Sequence, residues 1–341
     1  MRLTLRRTPS RALAVSMTAV LSLGALAACS SDDDSDSGSG DTRTVTDARG
    51  EVEIPAEPER VAAFDNRIFQ VLEDWDIDLV SAPVDLIPDT ITKYHEDTEI
   101  RNTGNHNEPN LEELVASEPD LIVTGYRYAS YYDEMKELLP DVPVVDLSFG
   151  ENFEDEDAEN ELSLEDRLKD ITTLIGEIFG KEDEASSLES DFDEAKERAA
   201  AAYNAEETVM GVVVSGGNIN YAAPVTGRSV GPVFEMLDLT PALDQEGSGN
   251  HQGDDISIEQ IAASNPDWIL VLDRDAGVNS EEDAQPASEI IADSPALTNV
   301  PAVENDNIVY FPSDFYTTED IEAYTEVLDI IADAFEAHDA E

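Results

Sequence analysis

The stretch NLEELVASEPDLIVTGYR, residues 110–127, returns in register as SIEQIAASNPDWILVLDR, residues 257–274. Each copy opens on a helix-capping residue, Asn110 or Ser257, followed by an apolar residue and a glutamate, Glu112 or Glu259. Each carries Pro-Asp at the same offset, runs apolar, and ends on an arginine, Arg127 or Arg274. A capped helix stopped by proline and followed by an unbroken apolar run is the signature of a short helix leading into a buried parallel strand. A chain that writes this unit twice, far apart, has to build two α/β layers. Ligands of open parallel sheets bind beyond the carboxyl ends of the strands. Arg127 and Arg274 stand just past those ends, so two facing layers would aim both at one cleft. The plainer alternative is that each arginine is a surface residue with a carboxylate neighbour.

The intervening segments agree with this plan. TVTDARGEVEIP, residues 44–55, alternates around a turn and reads as a hairpin. RVAAFD, residues 60–65, reads as a buried strand, with a helix to follow through Phe69, Leu72 and Trp75. Residues 161–180 break the rhythm: Leu164, Leu168, Ile171, Leu174, Ile175, Ile178 and Phe179 fall at helical spacing, with Gly180 as the stop. About 19 helical residues would span roughly 28 Å, longer than a helix flanking a small sheet needs. A second helix follows through Leu188, Phe192 and Ala195, then a strand at 208–217, the second copy of the repeat, and a closing helix from about Thr318 to Ala337.

The chain begins with four arginines, Arg2, Arg6, Arg7 and Arg11, ahead of an uncharged apolar stretch ending in Leu-Ala-Ala-Cys29. This reads as an export leader over residues 1–28. Its end resembles a bacterial lipobox, which implies that Cys29 becomes the lipidated first residue of the mature chain and holds it at the outer face of a membrane. An ordinary cleaved leader with a chance cysteine is the alternative. Cys29 is the only cysteine, so there is no internal disulfide. Residues 29–43 read as a flexible acidic tether without apolar residues to bury; their aspartate spacing also permits a calcium loop. Nothing after the leader is apolar enough to cross a bilayer. With 78 acidic against 19 basic residues the formal net charge is −59, which excludes nucleic acid as a partner and fits a fold adapted to high salt, where screening relieves self-repulsion.

Taken in this order, the lead-in TVTDARGEVEIPAEPERVAAFD, the pair EPDLIVTG and NPDWILVLDR, the lipobox and the single long helix resemble the ferric-siderophore branch of ABC-transporter substrate-binding lipoproteins, and most of all its catecholate receptors. The resemblance covers essentially the whole mature chain. It implies an α/β fold of two Rossmann-like lobes, residues 44–160 and 181–341, joined by one rigid helix at 161–180, with the ligand between the lobes and only modest closure. It implies no intrinsic cofactor, a monomer, and partners that are a ferric siderophore and a permease with its ATPase. Carried over by motif, the arginines for an anionic ferric complex are Arg127, Arg228 in VTGRSVGPVFEML, and Arg274. Guanidinium stays charged, donates several hydrogen bonds and stacks on rings, which suits catecholate oxygens. Tyr316 in PSDFYTTED matches a position where relatives supply a phenolate to iron, and His251 in GNHQGDDIS lies near one where they supply an imidazole, although the segment is one residue longer here. A cleft-lining aromatic and a solvated loop histidine are the plainer readings. Glu112 and Glu259 match the glutamates with which each lobe docks on the permease; helix capping is the other role open to them.

An enzyme is not indicated: there is no G-x-S-x-G elbow, phosphate loop or cysteine nucleophile. The four histidines, His95, His106, His251 and His338, are scattered, which does not suggest a receptor for free zinc or manganese. Within binding proteins, ferric citrate, haem and hydroxamate complexes remain alternative cargo, and a purely structural surface lipoprotein is the bland reading.

Overall fold

The computed structural model describes residues 41–151, 162–278 and 285–339. Cys29 and the leader lie outside them. The N-terminal hairpin pairs β1 (Thr42–Asp47) with β2 (Gly50–Pro55) in antiparallel register around the Asp47–Gly50 turn. It starts earlier than the tether expected to reach residue 43, because Thr42 and Arg43 already pair with Pro55 and Ile54. Arg43 also donates to the Ile178 carbonyl, fixing the hairpin to the long helix.

The first lobe is a five-stranded, all-parallel sheet of β3 (Val61–Phe64), β4 (Leu79–Ala82), β5 (Arg101–Asn102), β6 (Leu121–Thr124) and β7 (Val144–Asp146), in the order β5-β4-β3-β6-β7. The second lobe orders β8 (Val209–Ser215), β9 (Asn218–Tyr221), β10 (Trp268–Asp273) and β11 (Ile308–Tyr310) as β11-β10-β8-β9, parallel except for the β8–β9 hairpin. Every residue of β3, β6 and β8 is buried, so these strands are apolar on both faces, as a sheet covered on both sides requires. The repeat supplies β6 in one lobe and β10 in the other, each an interior strand of its sheet and each preceded by a short capped helix, Leu111–Ala116 and Ile258–Ser264.

The long helix runs Leu164–Phe179, the stretch of the apolar spacing itself and shorter than the 161–180 expected for it. Ser163 accepts the Asp166 amide and so fixes its start, and Gly180, at φ 65°, ends it in the left-handed conformation that glycine adopts without strain. Leu168, Ile171, Leu174, Ile175 and Ile178 are buried along one face, each worth about 1.5–3 kcal/mol of burial. A charge at Ile175 would break that face. A 21-residue helix, Glu182–Ala202, packs against it and against the closing helix Ile321–Asp339. One apolar core runs through residues of both sheets and these helices. The closing helix begins three residues beyond the expected Thr318, because Glu319 turns left-handed at φ 51° and Asp320 then accepts the Ala323 amide at 2.8 Å as a new cap. Among the described residues no helix is long and apolar enough to cross a membrane.

Candidate functional site

The carboxyl end of β3 turns at Asp65, whose side chain accepts the Arg67 amide and then its guanidinium, Nε at 3.0 Å and Nη2 at 2.7 Å. Both residues are buried. Arg67 also reaches Glu151, which takes Arg167 of the long helix at 2.9 Å. Asp65, Arg67, Glu151 and Arg167 thus form one ion network. Glu151 lies above the usual carboxylate range because burial outweighs the two arginines beside it. Sequence reasoning missed Arg67: Asp65 is two residues away, but Glu151 comes from a distant segment that only the fold brings to it.

At the end of β6, Gly125 passes so close to Asp65 that a Cβ there would strike the carboxylate. The chain then turns through Tyr126, left-handed at φ 46°, and presents Arg127. Arg127 Nε donates to Asn66 Oδ1 at 3.2 Å, and its Nη2 reaches the Tyr316 carbonyl of the other lobe at 3.3 Å. Asn66 itself donates to the carbonyls of Thr317 and Thr318.

From the second lobe, the loop after β9 carries Arg228 between two left-handed non-glycine residues, Val225 at φ 66° and Ser229 at φ 63°. Left-handed backbone at a β-branched residue is strained, and strain of this kind collects at binding sites. Arg274 follows β10 directly; its Nη1 reaches Ser215 Oγ at 3.2 Å, while its Nε is buried with no hydrogen-bond partner. Tyr316, on the short helix Phe315–Thr318, is 4% exposed. The guanidinium carbons of Arg127, Arg228 and Arg274 stand 5.2, 5.3 and 5.1 Å from its ring centroid. Tyr126 is likewise flanked by Arg67, Arg127 and Arg228. Contacts of this length are attractive.

The arginines do not stand free. Glu319 takes Arg228 with both oxygens, Nε at 2.9 Å and Nη2 at 2.5 Å, accepts the Ser229 hydroxyl, and draws Arg127 Nη2 to 3.4 Å. The expected carboxylate neighbour exists, but it is buried inside the cluster and not out on the surface. Burial alone would raise the Glu319 carboxyl; the Arg228 charge and hydrogen bonds outweigh it and hold the group below the usual range. Tyr316 obeys the same balance: burial raises its phenol, but Arg228 and Arg127 pull it below the ordinary tyrosine value.

His251 lies on an exposed turn. Burial and then the charges of Arg274, Arg228 and Arg127 lower its pKa, which places it in the field of the same cluster. His106, from the first lobe, is lowered by burial and by Arg127, Arg228 and His251, and its Nδ1 is buried without a partner. Two of the histidines that look scattered in sequence therefore converge on the arginines. Both are held neutral, the form that binds metal. Among the described residues no three His, Cys, Asp or Glu side chains form a metal cage. Glu112 and Glu259 are exposed on the first turns of their helices, one on each lobe, and among the described residues neither carboxylate has a hydrogen-bond partner. The caps come instead from Asn110 and Ser257, which accept the amides of Glu112 and Gln260.

The family model described as periplasmic binding protein matches residues 61–315. The ferric-anguibactin-binding protein FatB of Vibrio anguillarum is 27% identical over 84% of this chain and 86% of its own length. The petrobactin-binding protein YclQ of Bacillus subtilis is 23% identical over 83% and 84%. Among solved structures, the siderophore-binding protein BauB, bound to two molecules of acinetobactin and ferric iron, superposes with a TM-score of 0.72 at 25% identity, covering 86% of this chain and 99% of that one.

Proposed function

Since the chain belongs to the periplasmic-binding-protein family, we propose that it is the cargo receptor of an ABC importer for iron, binding an anionic ferric siderophore and delivering it to the permease. The observation that carries this reading is the convergence of Arg127, Arg228 and Arg274, drawn from three distant segments and both lobes, around the single ring of Tyr316. The relatives are named as binding proteins for ferric complexes or their siderophores, which fits a chain that holds its cargo without altering it.

The residues support a definite sequence of events. The guanidiniums take the anionic oxygens of the complex by charge-assisted hydrogen bonds. Ferric iron is hard and suits phenolate, so Tyr316, with its depressed pKa, takes a coordination position that the siderophore leaves open. His251, held neutral, can supply an imidazole there. The core shared by both lobes resists wide opening, so closure is modest. Glu112 and Glu259 then dock the loaded protein on basic groups of the permease. Residues 1–28 act as the leader, Cys29 carries the lipid that anchors the protein to the outer face of the membrane, and the acidic segment after it is the tether.

A second cargo class has one specific observation in its favour. Arg228 pairs with the Glu319 carboxylate through Nε and Nη2, and a guanidinium that pairs with a carboxylate supports a carboxylate chelate such as ferric citrate as the alternative cargo. The test is a titration of tryptophan fluorescence, with Trp75 and Trp268 as reporters, in high salt. Ferric tris-catecholate, ferric bis-catecholate, ferric citrate, haem and a ferric hydroxamate are compared. Tight binding of catecholates alone is the expected result. Tight binding of citrate, haem or hydroxamate instead overturns the cargo but keeps the receptor, and binding of none overturns the function.

A further inference from the structure

Glu319 is the one residue of the cluster that works against anionic cargo. It is 5% exposed, sits left-handed at φ 51°, and lies three positions after Tyr316. Its carboxylate is pinned by Arg228 Nε and Nη2, the Ser229 hydroxyl and Arg127 Nη2, with the Tyr126 hydroxyl at 3.5 Å. So many donors from four residues leave it no cheap way out, and departure would strand a buried charge. It therefore stays when cargo arrives. Two further pairs beside the cluster cancel, Arg67 with Asp65 and Arg167 with Glu151, and Asp275 is taken up by the Gly216 and Gly217 amides. Three guanidiniums against one fixed carboxylate leave the cleft a net charge of about two positive.

We propose that Glu319 is the specificity-determining counter-ion of the cleft, selecting ferric complexes of one or two negative charges over trianionic ones. The inference rests on the reading of the cleft as a site for anionic ferric complexes and names the class within it. A ferric complex of three catecholates carries roughly three negative charges, and one of two catecholates roughly one. The second leaves iron open positions, and a phenolate from Tyr316 in one of them brings the assembled charge to about two negative, which balances the cleft. The trianion would leave one charge uncompensated in a half-buried site.

The experiment compares the full chain, purified in detergent, with Glu319→Gln and Glu319→Asp. Each is titrated with a ferric tris-catecholate, a ferric bis-catecholate and an uncharged ferric hydroxamate. In Glu319→Gln the ratio of affinities shifts toward the trianion by about tenfold or more, while Glu319→Asp, which keeps the charge, keeps the wild-type ratio. An unchanged ratio overturns the proposal. So does an equal gain for both anionic complexes, which would mean that Glu319 is a competitor displaced by any anion. If Glu319→Gln fails to fold, the wild-type chain decides: across ferric complexes of increasing negative charge, affinity stops rising near two charges, and a continued rise to three overturns the proposal. Binding of no ferric complex at all would overturn the reading of the site itself, an outcome distinct from an unshifted ratio.

Discussion

Arg127 Nε lies 3.2 Å from Asn66 Oδ1, and the amide of the same Asn66 crosses the cleft to the carbonyls of Thr317 and Thr318 at 3.0 and 3.2 Å. One buried side chain thus aims a binding arginine and ties the lobes together. Asn66→Ala should weaken binding of anionic ferric complexes by about 1 kcal/mol, the net worth of an intramolecular hydrogen bond, although Asn66 itself is not proposed to touch the cargo. Isothermal titration of the variant checks this. A positioning role predicts that added flexibility slows association, so stopped-flow rates should fall together with affinity; a loss confined to thermal stability would leave Asn66 a lobe tie only.

The three arginines should separate by experiment. Arg228 is locked to buried Glu319, so Arg228→Ala strands a carboxylate and should cost about 3–5 kcal/mol of stability. Among the described residues Arg274 pairs with no carboxylate; it meets the Ser215 hydroxyl and the Tyr316 side chain. Arg274→Ala should therefore leave the unfolding midpoint near wild type while weakening anionic ferric complexes by about 1–3 kcal/mol. Denaturant unfolding and titration of both variants would read the two quantities independently.

The chain has ten tyrosines, and Tyr316 should ionise first. Burial raises Tyr94, Tyr128, Tyr221 and Tyr324, whereas the arginines pull Tyr316 below its ordinary value. In an alkaline absorbance titration the earliest phenolate signal should vanish in Tyr316→Phe. The same variant should lose the red-shifted charge-transfer absorption that a phenolate adds to a bound ferric bis-catecholate. An unaltered spectrum would mean that the ring only lines the cleft.

These residues differ in how far the sequence exposes them. The strands around β3, β6, β8 and β10 were legible because burial on both faces forces unbroken apolar runs. Arg127 and Arg274 were legible because a repeat puts them at matching strand ends. Glu319, Asn66 and Arg67 were not. In a chain with 78 acidic residues nothing marks one glutamate as the counter-ion of a binding arginine. Its role comes from a left-handed turn that folds it back onto Arg228, which lies on a loop far earlier in the same lobe. The convergence of His106 with His251 was hidden for the same reason: each lies on a loop of a different lobe, and only the facing of the lobes brings them into one field.

Stability should rise as pH falls through neutrality. Asp320 is fully buried, its Oδ2 has no partner, and burial pushes its pKa up to about 7. Glu322 is raised as well, by burial and then by Asp320 and Asp74, with which it shares a hydrogen bond across the lobes. A carboxyl whose folded pKa is raised holds a proton that the unfolded chain releases. The unfolded state then binds fewer protons, so stability is lost as pH rises from the ordinary aspartate range to about 7, and further as Glu322 ionises. Asp320→Asn keeps the cap to the Ala323 amide and removes the titration. Guanidinium unfolding at several pH values should show Asp320→Asn matching wild type at pH about 4 and exceeding it by a few kcal/mol at pH about 8.

Docking and capping by Glu112 and Glu259 can be separated. Glu112 and Glu259 sit at equivalent places on the two lobes, exposed, with caps supplied by Asn110 and Ser257. If their work were only to favour a helix N-terminus, alanine at each would cost a few tenths of a kcal/mol, the exposed end of the helix-dipole effect, and iron uptake would continue. If they dock the receptor, removal of both leaves the cargo affinity intact and abolishes uptake, because the exposed carboxylates, one on each lobe, would no longer meet basic groups of the permease. The decisive variant is Glu112→Ala with Glu259→Ala, measured twice: for ferric-complex affinity in solution, and for iron uptake in cells whose own receptor is deleted. A charge reversal of the facing basic groups of the permease should then restore uptake to Glu112→Arg with Glu259→Arg, which a capping role cannot do.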